Sequence, residues 1–177
     1  LEFRRVLFRS VGTMVNALLS FYPNVDARSL REQIDITAAR LISKIRTIAT
    51  YAYKKSIGEP IVYPRKELSY CENFLNMMFS SPVSDYELKR EHVKALSTLF
   101  MLHADHEQNC STSTVRLVGS SQANLYASIS SGIAALHGPL HGGANQAVVE
   151  MLMRIERSNG NIKKYIKMAK DKKSNFR

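Results

Sequence analysis

Between Leu30 and Ala52, apolar side chains recur at Leu30, Ile34, Ala38, Leu41, Ile45, Ile48 and Ala52, and neither glycine nor proline interrupts the run before Gly58. Steps of three and four put these residues on one face only if the backbone is α-helical. The uninterrupted length predicts a helix of about 28 residues, near ~42 Å at ~1.5 Å per residue. A helix of that length crosses a large domain or a subunit interface, so short-element folds are excluded from the start.

The remaining segments are punctuated in the same way. Val11 to Tyr22 is apolar and closed by Pro23, with a turn through Asn24 and Asp26. Gly58 to Arg65, which holds Pro60 and Pro64, is an extended connection, and Leu68 to Phe79 returns to a helical pattern that Pro82 ends. Asp85 is positioned to cap the next helix, on which Leu88, Val93, Leu96, Phe100 and His103 share a face. His103 thus arrives at a helix C-terminus. Asn109 to Thr114 starts another helix, Gly119 to Asn124 turns, and Leu125 to Leu136 is a short buried helix of small residues stopped by Gly138 and Pro139. Ala144, Ala147, Val148, Met151, Leu152 and Ile155 define an amphipathic helix, and Gly160 separates it from a basic one reaching about Ala169. No alternating strand pattern and no internal repeat is present. The expected fold class is all-α.

Charge and cysteine content narrow the function. The net charge of +10 would suit a nucleic-acid partner. Much of it, however, lies at the ends, in Arg4, Arg5 and Arg9 and in Lys163, Lys164, Lys167, Lys170, Lys172, Lys173 and Arg177, without interleaved aromatic residues. These read as a solvated helix face and a frayed terminus, so neither nucleic acid nor membrane is expected as a partner. Cys71 and Cys110 follow no paired spacing, which fits a reducing cytoplasm. Leu1 to Ser10 lacks the apolar stretch and cleavage site of a signal peptide. That segment reads as an extension foreign to the fold, one that should stay out of the core.

Four of the five histidines fall at two helix junctions, His103-Ala-Asp-His106-Glu107 and His137-Gly-Pro-Leu-His141-Gly-Gly-Ala-Asn145. One reading is a metal site using these imidazoles with Asp105 or Glu107. Gly138 and Pro139 break the helix between His137 and His141, so the metalloprotease arrangement of two histidines on one helix face does not apply. A second reading leaves them as ordinary hydrogen-bonded histidines. In a third, the glycines after His141 admit a ligand, and the positive end of the following helix lies beside the ring. In that setting a neutral imidazole can donate a hydrogen bond to a carbonyl becoming an enolate.

The runs Leu102-His103-Ala104-Asp105-His106-Glu107-Gln108-Asn109, Ser111-Thr112-Ser113-Thr114-Val115-Arg116 and Gly138-Pro139-Leu140-His141-Gly142-Gly143-Ala144-Asn145 resemble citrate synthase of the bacterial hexameric type. Tyr63-Pro64-Arg65 and Asn73 to Phe79 match as well, and the resemblance covers Val11 to Arg177. It implies part of a large helical domain, with the small domain and the remaining catalytic residues lying outside the chain. It further implies condensation of acetyl-CoA with oxaloacetate to citrate and CoA, with no resident cofactor and no metal. By the resemblance, His141 is the catalytic group that polarises the thioester carbonyl, His106 belongs to the oxaloacetate pocket and His103 supports it, while His137 is packing. The family's Gly-His-Arg segment, catalytic aspartate and later arginines are missing, so the isolated chain is expected to be inactive. The resemblance also implies a homodimer, or a hexamer, through helices matching Val11 to Tyr22, Leu30 to Lys54 and Asn161 to Ala169. Tyr22, Arg40 and Lys44 stand at positions like those of an allosteric NADH site, although Lys66 and Val83 depart from its pattern. Alternatives are a 2-methylcitrate synthase, which uses propionyl-CoA, and a non-catalytic basic helical binding module.

Overall fold

A computed structural model describes residues 2–23, 29–105, 107–158 and 161–171. Among them the backbone is all-α, apart from an isolated bridge between Ser81 and Ser84. The helices are α1 (Glu2–Phe21), α2 (Leu30–Ser56), α3 (Tyr70–Phe79), α4 (Arg90–Ala104), α5 (Cys110–Ser120), α6 (Leu125–Leu136), α7 (Gly143–Arg157) and α8 (Ile162–Lys170). No helix among the described residues is long and apolar enough to cross a membrane. The chain divides into two compact units, one up to His137 and one from Gly138.

In the first unit Val11, Val15 and Leu18 of α1 meet Leu41 of α2 and Tyr126 of α6, with Ile45, Ile48, Ala49, Ile129 and Ile133 packed around them. Each such aliphatic side chain contributes about 1.5–3 kcal/mol by leaving water. The long period of α2 is real, with 27 residues in one helix, but its first turn is not core: Leu30 is 73% exposed and Ile34 47%. Ser29 caps α2 by accepting from the Glu32 N–H.

The α5–α6 pair is drawn close at Gly132, where a Cβ would stand 2.6 Å from Val115 Cγ2. Hydroxyls tie the pair together and to α1: Ser111 Oγ donates to the Gly132 carbonyl at 3.0 Å, and Ser130 Oγ to the Gly12 carbonyl of α1 at 2.9 Å. The connection after α2 is fastened by side chains as well. Asn73 accepts from the Arg65 N–H and donates to the carbonyls of Arg65 and Leu68.

Three sequence expectations need correction. The helix expected from Val11 begins at Glu2, because nothing between the two positions breaks a helix. The first side chain described as buried is still Val11, while Phe8, half-buried, meets His137 edge-on at 5.9 Å. Asp85 does not cap α4; it pairs with Arg65 at 2.6 Å, and Lys89 stands at the N-cap without a side-chain bond. Gly119 lies inside α5 rather than in the following turn. The turn at Asn24 and Asp26 and the break at Gly160 lie outside the described residues.

In the second unit α7 and α8 are amphipathic helices with little of their apolar stripe covered. Met151 and Ile155 of α7 and Tyr165 and Met168 of α8 are half-buried, while Ile162 and Ile166 are 59% and 48% exposed.

Candidate active site

The first histidine motif occupies the α4–α5 junction. α4 ends at Ala104, and the His103 ring Nδ1 lies 2.7 Å from the Leu99 carbonyl one turn back. A carbonyl only accepts, so Nδ1 carries the proton and Nε2 is the nitrogen left for other contacts. Asp105 is extended, and its carboxylate accepts from the Glu107 N–H at 3.0 Å. Glu107 itself has φ of 53°, left-handed backbone that a glutamate rarely adopts. Beyond it, the Asn109 side chain caps α5 by accepting from the Thr112 N–H at 3.0 Å, and Arg116 donates to Gln108. His106, predicted for the oxaloacetate pocket, lies outside the described residues.

The second motif begins where His137 ends α6 with its N–H turned back to the Ile133 and Ala134 carbonyls. In the second unit the chain makes two tight steps: the His141 N–H donates to the Gly138 carbonyl at 3.1 Å, and the Ala144 N–H to the His141 carbonyl at 3.3 Å. α7 then starts at Gly143, with Gly142 buried at its N-cap. His141 is therefore half-buried and stands directly before the first turn of a 15-residue helix. The positive potential of that helix end suits oxygen-rich, negatively charged ligands. Gly142 has φ of −67°, so its role is small size rather than unusual backbone.

Two of the three residues singled out for an effector come together. The Arg40 guanidinium lies over the Tyr22 ring, 4.8 Å from its centroid, and its Nη1 is buried without a hydrogen-bond partner. Lys44, one turn further along α2, is exposed. Tyr22 also lines a cavity of about 720 Å³ with Leu19, Leu30, Thr37 and Tyr126, a feature the linear sequence does not disclose. Among the described residues no three His, Cys, Asp or Glu side chains gather as a metal ion would require.

The family model described as "Citrate synthase, C-terminal domain" matches residues 6–177. The chain belongs to the citrate synthase family. It is 51% identical to "Citrate synthase 1" of Mycobacterium tuberculosis over 164 residues, in both strain CDC 1551 / Oshkosh and strain H37Rv. That match takes in 93% of this chain and 38% of the relative, so the chain spans well under half the length of these relatives. The structure of citrate synthase from Pyrobaculum aerophilum is similar at TM-score 0.72 and 27% identity, covering 97% of this chain and 44% of that one. That of citrate synthase from Thermotoga maritima MSB8 is similar at TM-score 0.62 and 30% identity, covering 94% and 44%.

Proposed function

We propose that the full-length protein to which this chain belongs is a citrate synthase, condensing acetyl-CoA with oxaloacetate and hydrolysing the citryl-CoA formed to citrate and CoA. The observation that carries this reading is the His141 turn, which sets an imidazole immediately before the first turn of α7 in a chain of this family. There His141 donates a hydrogen bond to the thioester oxygen as the methyl proton leaves, so that the enolate charge forms against a donor already in position. An aspartate outside this chain takes the proton. His106 holds and polarises the oxaloacetate ketone, and His103, fixed to Leu99, supports it.

No resident cofactor is needed, since acetyl-CoA is a substrate. The chain alone turns over negligibly, because groups acting as one catalytic unit lose most of their effect when any is missing. The full-length protein is cytoplasmic and a homodimer or hexamer. Phe21, Leu30 and Ile42, which are 72%, 73% and 62% exposed on α1 and α2, support burial by a second subunit. Tyr22, Arg40 and Lys44 form part of an NADH effector site, a reading supported by the stacked guanidinium with an unpaired N–H.

The test is release of free CoA thiol by the purified full-length protein. Oxaloacetate-dependent release from acetyl-CoA is expected. A preference for propionyl-CoA would make the protein a 2-methylcitrate synthase, and no release from either would overturn the reading.

A further inference from the structure

We draw no further inference here: the strongest candidate, the cavity of about 720 Å³ lined by Leu19, Tyr22, Leu30, Thr37 and Tyr126 in the first unit, has nothing in the structure to show what covers it, since the unpartnered Tyr126 hydroxyl is itself buried out of an occupant's reach.

Discussion

Replacing Gly132 by alanine tests how tightly the α5–α6 pair supports the first histidine junction. A Cβ at this buried position would lie 2.6 Å from Val115 Cγ2 and 3.5 Å from the Ser111 carbonyl. Carbon atoms pack best at about 3.5–4.0 Å, so roughly 1 Å must be found. Val115 cannot rotate away cheaply, because a β-branched side chain in a helix has essentially one rotamer. The helices must separate, which stretches the 3.0 Å bond from Ser111 Oγ to the Gly132 carbonyl. Overpacking costs about 1–3 kcal/mol and a weakened hydrogen bond about 1 kcal/mol. Against this, alanine improves helix propensity by about 1 kcal/mol. The net loss is about 1–3 kcal/mol, or a Tm lower by roughly 2–12 °C for a chain of this size. Thermal unfolding followed by circular dichroism measures it. Adding Val115→Ala should recover part of the loss, because the two changes share one contact and are not additive. A Gly132→Ala chain as stable as the parent, or a double variant showing the simple sum of the two losses, would refute the packing argument.

Other outcomes follow from side chains in the first unit. Lys54 is 1% exposed and donates to the Ser80 carbonyl at 2.6 Å while pairing with Glu59. Lys54→Met keeps the volume but strands that carbonyl, so the urea midpoint should fall by the equivalent of about 1–3 kcal/mol; an unchanged midpoint would contradict this. Glu72 closes the capping box of α3, and hydrogen bonds from the Ser69 hydroxyl and then its backbone N–H hold the Glu72 carboxyl below its ordinary value of 4.5. Because the folded-state value is the lower one, this stabilisation is complete above pH 4.5 and fades as pH falls through the lowered value. A Glu72→Gln chain should therefore show a weaker acid dependence of stability than the parent, and identical acid profiles would sink the assignment.

The helical period made α2 legible from Leu30 onward, and Gly138-Pro139 marked the end of α6, because these signals depend on local backbone chemistry. Long-range choices were not legible. Lys54 reads as a solvated lysine at a helix end, yet Ser80, 26 positions away, supplies the acceptor that buries it. Asp85 looks like an N-cap until Arg65, 20 positions earlier, takes its carboxylate. The same limit applies at the sites. The junctions bearing His103 and His141 follow from helix punctuation, whereas the stacking of Arg40 on Tyr22 required α1 and α2 to pack. Asp105 carried a signal in principle, an Asx residue two positions before a turn residue, but nothing in the spacing shows that Glu107 adopts left-handed backbone.

The most direct test of the chemistry is steady-state turnover of the full-length enzyme with His141 replaced by alanine, alongside oxaloacetate binding by calorimetry. A ring that stabilises the enolate predicts a kcat lower by about 10²–10³, the usual consequence of removing one such donor, with oxaloacetate affinity essentially retained. Condensation at near the parental rate would contradict it.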